Sequence, residues 1–305
     1  MGDSCYALAR RDRFGHHSKD LCYISRLFNM NDADQKFPKL AAYFKRIGFN
    51  GTARPDLETL RGLQRAHVRA VPFENLDVQL RRPVGLDIDT CFDKIVRQRR
   101  GGWCFELNGL LGWALREIGF DVVRMSAGVM RERLGDLQMG NHLCLLVRLD
   151  RPYLVAVGFG GSLSQPLPLE VSGHDQLPYH ITLTDLGGGY WRFSERAHGE
   201  PFSFDFCIAA ADETRFAEKC AMLQTSPDSS FVQNLVVQRR VGDTHLSLRG
   251  RVLTTLHETG EGKITLASAD EFVAALRDKF DLNVPEVTTL WPAICARHDA
   301  LFQDS

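Results

Sequence analysis

The feature that most constrains the fold is a change in the spacing of apolar residues at Gly119. Before it, apolar side chains recur three or four positions apart, at Leu107, Leu110, Leu111, Ala114, Leu115 and Ile118. This spacing predicts an amphipathic helix that Gly119 ends. After it, residues 122–129, 143–149 and 153–159 form short apolar runs that are typical of strands. Helices in one part of the chain and strands in another indicate an α+β fold.

The same spacing rules predict further elements on both sides of this switch. Residues 40–47 and 55–70 are expected to form two earlier helices. Towards the C-terminus, strands are expected at 231–240, 245–249, 252–257 and 263–266. Ser268 and Glu271 form a capping box for another helix, and a last helix is expected near the chain end. Residues 207–230 show no regular pattern.

Length and charge bound the kind of protein. The chain has 305 residues, enough for roughly two or three domains with a sizeable core. Its formal net charge of -1 gives no electrostatic case for binding nucleic acid or an anionic membrane. No apolar run approaches the roughly 20 residues that span a bilayer. We therefore expect neither a nucleic acid nor a membrane as partner.

The first residues and the cysteines suggest where the protein resides. Residues 1–29 lack the apolar core of a signal peptide. They are interpreted as an extension, a candidate for disorder, because Met30 directly precedes the patterned part. The eight cysteines show no CxxC and no zinc-type Cys/His spacing, so no metal site is expected. Together these features favour free thiols and a cytoplasmic location.

One cysteine has the setting of a nucleophile. Cys104 follows Gly101 and Gly102 at the start of the predicted helix. The unpaired N–H groups and the positive dipole end of a helix N-terminus stabilise a thiolate and lower the pKa of the thiol. They can also hold the oxyanion of a tetrahedral intermediate, and the two glycines would let a substrate approach the sulfur. The alternative is a buried cysteine that only packs at a tight loop-to-helix junction.

A nucleophilic thiol needs a base, and His142 is the candidate, with a purely structural histidine as the alternative. A turn after Arg148 predicts that the next strand returns antiparallel, with Arg148 facing Pro152. His142 would then face Gly158, and position 156 would be its diagonal neighbour on the same face, roughly 7–8 Å away. A carboxylate that orients the histidine would fit there. The chain has Ala156.

Several segments resemble the arylamine N-acetyltransferases, and the match runs from Met30 through most of the chain. The specific matches are His67 with VPFENLD at 71–77, and RGGWCFELN at 100–108, which resembles the family's RGGxCxELN box. Supporting matches are YFKRIG at 43–48, NH at 141–142, YLVAVGFGG at 153–161 and TSPDSSF at 225–231. The resemblance implies a helical bundle at 30–119 that carries the nucleophile, a β-barrel-like domain at 120–224 and an α/β lid at 225–305. These would enclose a Cys/His core like that of cysteine proteases.

The resemblance also implies a reaction. Acetyl-CoA would acetylate Cys104 with His142 as general base, and an arylamine, hydrazine or hydroxylamine would then take the acetyl group. This ping-pong transfer needs no metal ion and belongs to xenobiotic metabolism. A homodimer is compatible with the resemblance.

Further roles are carried over by position. The acceptor pocket would be lined by Phe73, Val129 and Phe159, for which plain core packing is the alternative. Coenzyme A would contact Gly160, Gly161 and Ser229. Arg100 and Glu106 would brace the cysteine box through an internal salt bridge.

Position 156 departs from the family, which has its third catalytic residue, an aspartate, where this chain has Ala156. Alanine can neither accept a hydrogen bond from the imidazole nor stabilise an imidazolium. In serine hydrolases, loss of the acidic member costs about 10⁴-fold in kcat, although a cysteine depends less on its base. The sequence favours a family member with impaired activity. The alternatives are a carboxylate replaced by another group or a water, an inactive protein that binds coenzyme A or an aryl ligand, a relative that forms amides intramolecularly, and a cysteine hydrolase.

Overall fold

Helices come first in the structure, a computed structural model that describes residues 37–302. The predicted extension at 1–29 lies outside the described residues. As predicted, Gly119 ends a helix, and Gly48 ends an earlier one, each in the left-handed conformation. The elements of this part are α1 (Pro38–Ile47), α2 (Leu57–Ala70), β1 (Phe73–Glu74), α3 (Leu76–Gln79), α4 (Ile88–Phe92), a π-helical turn (Asp93–Arg97) and α5 (Cys104–Ile118).

A curled antiparallel sheet follows, as the barrel-like prediction requires. Its strands are β2 (Asp121–Val129), β3 (His142–Arg148), β4 (Pro152–Val155), β5 (Leu167–Pro168), β6 (Ser172–Gln176), β7 (Tyr179–Gly187), β8 (Tyr190–Arg196) and β9 (Phe202–Ala210). They lie in the order β5-β4-β3-β2-β9-β8-β7-β6. A short helix, α6 (Arg131–Leu134), and a 3₁₀ turn (Asp136–Gln138) connect β2 to β3.

Strand β3 joins two cores because successive side chains point to opposite faces. Leu143 and Leu145 belong to the core that contains the α5 side chains. Cys144 and Leu146 belong to the core inside the curled sheet. The helix that begins at Cys104 therefore packs directly on the strand that begins with His142.

The C-terminal part forms a second sheet. After α7 (Glu213–Thr225) and α8 (Ser230–Gln233) come β10 (Val236–Val241), β11 (Thr244–Arg249), β12 (Val252–His257), β13 (Gly260–Thr265), α9 (Ala269–Phe280), a 3₁₀ turn (Pro285–Leu290) and α10 (Trp291–Phe302). The strand order is β1-β10-β11-β12-β13. Phe73 pairs with Gln238, so the VPFENLD segment lies at the edge of this sheet.

One prediction about the region before β10 is wrong. The strand expected at 231–240 begins at Val236, because Ser229 caps the short helix α8 by accepting the N–H of Phe231. The side-chain amide of Asn75 also donates to the carbonyls of Phe231 and Asn234, which holds this turn in place. The region 207–230, which showed no pattern, contains α7, capped by Asp212.

Across residues 37–302, no helix combines the length and the apolar character needed to span a membrane.

Candidate active site

Cys104 is the first residue of α5, as predicted. The turn is closed by Glu106, whose carboxylate accepts the N–H of Trp103 at 3.1 Å. The thiol of Cys104 donates to the carbonyl of Asn141, with 3.8 Å between sulfur and oxygen. The backbone N–H groups of Leu143 and Phe105 lie near enough to the sulfur to favour the thiolate. The thiol therefore lies against the backbone on both sides of His142.

His142 begins β3 and is 2% exposed. Its ring packs edge-on against Phe159, with 5.3 Å between centroids, and against Phe204 at 4.8 Å. Its Nε2 atom is buried and has no hydrogen-bond partner among the described residues. Aromatic rings, rather than a carboxylate, surround this imidazole.

The register next to His142 was predicted only in part. Arg148 faces Pro152, as expected. Strand β4 ends at Val155, however, so the predicted pairing of His142 with Gly158 is wrong. The physical reason is Asn108, whose side-chain oxygen accepts the N–H of Val157 at 2.8 Å and withdraws it from the sheet.

Asn108 holds the two halves of the site together. It lies one turn after Cys104 on α5, and its amide also donates to the carbonyl of Leu143 at 2.6 Å. One side chain thus joins helix α5, strand β3 and the segment that follows β4. The sequence offered a signal for this role, since positions four apart share a helix face.

The segment after β4 crosses over Cys104. A Cβ atom at Gly158 would lie 2.5 Å from the Cα of Cys104, so only glycine allows this close approach. Ala156 is 1% exposed and packs in the same core as Cys144 and Leu146, which is the face of His142. Position 156 therefore lies on the predicted face.

In the described part of the chain, no carboxylate contributes to the electrostatic environment of His142. Burial alone lowers the pKa of His142, to about 3, and no charged side chain contributes to that shift. The buried Asp205 on β9 is engaged elsewhere, by Arg131 and Arg192. His142 is therefore neutral at pH 7.

The predicted lowering of the pKa of Cys104 is wrong for this conformation. Burial raises the pKa of the thiol to about 12, and the N–H groups of Leu143 and Phe105 offset this only partly. Cys104 is 3% exposed, so its loss of hydration disfavours the thiolate more than the helix N-terminus favours it. The proton therefore resides on sulfur, and the pair is Cys–SH with neutral imidazole.

This protonation state predicts the pH dependence of alkylation. Only the thiolate reacts, so the rate at which iodoacetamide alkylates Cys104 should rise about tenfold per pH unit from pH 6 to 10. A preformed thiolate–imidazolium pair would instead give a plateau across neutral pH. Mass spectrometry of the Cys104 peptide measures the rate, and the same chain unfolded in urea is the control. A plateau between pH 6 and 8 in the folded protein would contradict the neutral pair.

The charged residues of the cysteine box form a buried network. Arg100 pairs with Glu74 at 2.9 Å and with Asp77 at 3.0 Å. Lys94 pairs with Asp77 and with Glu106, both at 2.8 Å. The predicted bracing is present, but Arg100 and Glu106 are joined through Asp77 and Lys94 rather than to each other. Although burial would lower the pKa of Lys94, the surrounding carboxylates raise it and keep it charged.

The two glycines of the box serve packing in this structure. A Cβ atom at Gly101 would lie 2.2 Å from the carbonyl oxygen of Pro72. One at Gly102 would lie 2.7 Å from a carboxylate oxygen of Glu106. Their lack of a side chain lets β1 and the network close against the start of α5, a role distinct from the predicted access to sulfur.

The predicted acceptor residues each contact a residue at or near the Cys/His pair. Phe159 contacts His142, and the N–H of Val129 donates to the side chain of Asn141 at 2.9 Å. Phe73 forms an isolated β-bridge with Gly102, two residues before Cys104.

Sequence interpretation missed three aromatic residues around them. Phe204 packs on His142. Phe202 is 42% exposed and stacks on Phe159, with 5.0 Å between ring centroids. Phe231 packs against Phe73 and Trp103. The first two alternate along β9, which places both on one face of that strand.

The residues predicted to bind coenzyme A make structural contacts. Gly160 and Gly161 have φ values of 70° and 85°, which favour glycine. A side chain at Gly160 would meet the Gln238 side chain at 2.5 Å. The hydroxyl of Ser229 donates to the carbonyl of Leu223. Within residues 37–302, no group of three or more His, Cys, Asp or Glu side chains could hold a metal ion.

Comparison with known proteins identifies the family. An N-acetyltransferase family model matches residues 56–289. The arylamine N-acetyltransferase of Mycolicibacterium smegmatis is 36% identical over 260 residues, which cover 81% of this chain and 93% of that protein. The chain belongs to the arylamine N-acetyltransferase family. A pineal gland isozyme of this family from Gallus gallus is 32% identical over 271 residues, or 79% of this chain and 93% of that protein.

Solved arylamine N-acetyltransferases share the fold. The enzyme of Mycobacterium marinum in complex with CoA matches with a TM-score of 0.77 and 32% identity, over 86% of this chain and 98% of that chain. The enzyme of Salmonella typhimurium matches with a TM-score of 0.76 and 31% identity, over 85% of this chain and 98% of that chain. The family and the mixed helix–sheet fold predicted from sequence are confirmed.

Proposed function

We propose that this protein transfers the acetyl group of acetyl-CoA to arylamines, hydrazines or hydroxylamines through an acetyl-Cys104 intermediate, at a rate limited by Ala156. The observation that carries the proposal is the thiol of Cys104 at the start of α5, in contact with the backbone beside His142. Membership of the family and the complex of the Mycobacterium marinum relative with CoA support acetyl-CoA as donor.

In the first half-reaction, His142 takes the thiol proton as the sulfur of Cys104 attacks the acetyl carbonyl. We assign the stabilisation of the developing oxyanion to the backbone N–H groups near the sulfur, those of Leu143 and Phe105. The tetrahedral intermediate then expels coenzyme A, which takes the proton from His142. In the second half-reaction the amine attacks the thioester, the Cys104 thiolate leaves, and His142 returns a proton from nitrogen to sulfur.

Without a carboxylate, the imidazolium that forms in each half-reaction has no negative partner. Burial makes its formation harder still, since it disfavours the charged ring. The proposed limit on the rate is therefore proton transfer, not the nucleophilicity of sulfur. Because Cys104 and His142 are almost fully buried, we also propose that entry of the donor displaces part of the aromatic cover formed by Phe159 and Phe202.

Intact-mass spectrometry tests the proposal directly. Incubation with acetyl-CoA should add about 42 Da, an acetyl group in place of a proton, and an arylamine should remove it. The Cys104→Ala variant should gain no mass, and Cys144→Ala, which removes a buried thiol next to the site, should still be acetylated. Coenzyme A binding without an adduct after long incubation would refute the proposal.

A second candidate is a non-catalytic protein that binds coenzyme A or an aryl ligand. It is favoured by Ala156 together with the unpartnered Nε2 of His142. The same experiment separates the two, since this candidate predicts binding of coenzyme A with no adduct on Cys104.

A further inference from the structure

We propose that His245 is a positioning residue for the acetyl-transfer site: through the Gly160 carbonyl it fixes the loop that sets Gly158 on Cys104 and Phe159 on His142. The inference rests on the proposed function and extends it to a residue of the C-terminal sheet.

The first observation is that His245 is bound on both ring nitrogens. Its Nε2 atom lies 2.5 Å from the carbonyl oxygen of Gly160, and its Nδ1 atom is hydrogen-bonded to the hydroxyl of Tyr179. A carbonyl only accepts, so the proton must reside on Nε2. Burial lowers the pKa of His245 to about 4, so Nδ1 accepts from Tyr179 at neutral pH. Tyr179 thereby selects the tautomer that binds the loop.

The second observation is that several carbonyl groups of the loop at 159–162 accept hydrogen bonds. Arg240 donates to the carbonyl of Ser162 at 2.9 Å, and the hydroxyl of Ser162 donates to that of Phe159 at 3.1 Å. His245 and Arg240 both belong to the β10–β11 hairpin. The C-terminal sheet thus supplies buried donors for the loop at 159–162.

The third observation is what the other side of this loop touches. Gly158 packs on the backbone of Cys104 without room for a Cβ atom, and the Phe159 ring contacts His142. Gly160 follows directly, so a shift of its carbonyl moves both contacts. In a site without a carboxylate to orient His142, the aromatic contact carries more of that task.

Four variants test the proposal. His245→Leu removes the donor to Gly160, whereas His245→Gln keeps an N–H near the position of Nε2. Tyr179→Phe removes the hydrogen bond that selects the tautomer. Tyr43→Phe is the matched control, since Tyr43 makes a comparable buried hydrogen bond to Nδ1 of His67, at 2.8 Å, in the helical part.

Two readouts move in opposite directions if His245 positions the loop. For His245→Leu, acetylation of Cys104 at saturating acetyl-CoA should slow by about tenfold, because the loop and Phe159 are no longer fixed. Alkylation of Cys104 by iodoacetamide should become about tenfold faster, because the cover over the thiol loosens. His245→Gln should stay within about threefold of the wild type in both, and Tyr179→Phe should fall between.

The outcomes separate this inference from the proposed function. If the wild type gains no acetyl group, the proposed function fails, and the alkylation rates still decide the role of His245. Equal alkylation of His245→Leu and the wild type would overturn the inference. The inference would also be overturned if Tyr43→Phe changed both rates as much as His245→Leu does. The effect of His245 would then reflect only its contribution to general stability.

Discussion

Replacing Ala156 with aspartate should raise the rate of Cys104 acetylation by about 10² to 10⁴-fold. The reason is geometric: position 156 lies in the core on the His142 face, and the Nε2 atom of His142 lacks a hydrogen-bond partner. A carboxylate there can accept the imidazole N–H and stabilise the imidazolium. The largest value corresponds to the cost of losing the acid in serine hydrolases, and a smaller one is expected where sulfur is the nucleophile.

The control is Ala156→Asn, which has the shape of aspartate without its charge. It can accept the same hydrogen bond but cannot stabilise an imidazolium, so its gain should stay below about tenfold. Single-turnover acetylation followed by intact mass gives the rates, and thermal unfolding checks that the new polar group is tolerated. A well-folded Ala156→Asp protein with the parent rate would show that 156 is not the orienting position.

Aspartate should also change the pH dependence of alkylation. The carboxylate raises the pKa of His142, because it favours the charged ring. A charged imidazole favours the thiolate, so alkylation of Cys104 should gain a plateau near neutral pH that the parent protein lacks. The two measurements therefore report the same pair from independent chemistry.

Removing the charge of Lys94 should be the most destabilising single change in the network. Lys94→Met leaves the carboxylates of Asp77 and Glu106 buried without their shared cation. Breaking a buried ion pair at one partner typically costs about 3–5 kcal/mol of unfolding free energy. Urea unfolding measures it. Lys263→Met, which breaks an exposed pair with Glu261, should cost less than about 1 kcal/mol.

Two further results would show whether the loss of stability in Lys94→Met comes from the unpaired carboxylates. Adding Glu106→Gln to Lys94→Met should restore part of the stability, because it removes the unpaired charge while keeping an acceptor for the N–H of Trp103. The difference between Lys94→Met and the parent should also shrink as the pH falls, since Glu106 without Lys94 has a raised pKa and is neutralised by protonation. If the double variant were no more stable than the single one, the loss would come from packing of the lysine stem.

Local signals predicted much of this structure. The helix that begins at Cys104 and ends at Gly119 follows from side-chain spacing and a helix-ending glycine. The common face of Cys144 and Leu146 follows from strand geometry. These features depend on neighbours within about ten residues, which is the range that spacing rules describe.

The predictions that were wrong concern features that depend on residues distant in the sequence. Strand β4 ends early because Asn108, 49 residues before Val157, takes its N–H. The helix start at Cys104 favours a thiolate, but the final burial of the sulfur outweighs it. Arg100 and Glu106 lie six residues apart, yet each found a partner on another element. The final burial of a polar atom such as the Cys104 sulfur, and the hydrogen bonds between distant residues, are set by the tertiary fold. Local side-chain spacing does not predict them.

The two-residue strand β1 also dictates an order of assembly. Cys104 and His142 emerge early from the ribosome, but Phe73 and Glu74 find their sheet partners only when residues 236–241 have been synthesised. Glu74 in turn forms an ion pair with Arg100, four residues before Cys104. A nascent chain therefore contains both Cys104 and His142 well before these contacts can fix the loop that leads from Arg100 to Cys104. The site can therefore be completed only after the C-terminal hairpin has been synthesised. The pairing of β1 with β10 is long-range, and such pairing is slow to form.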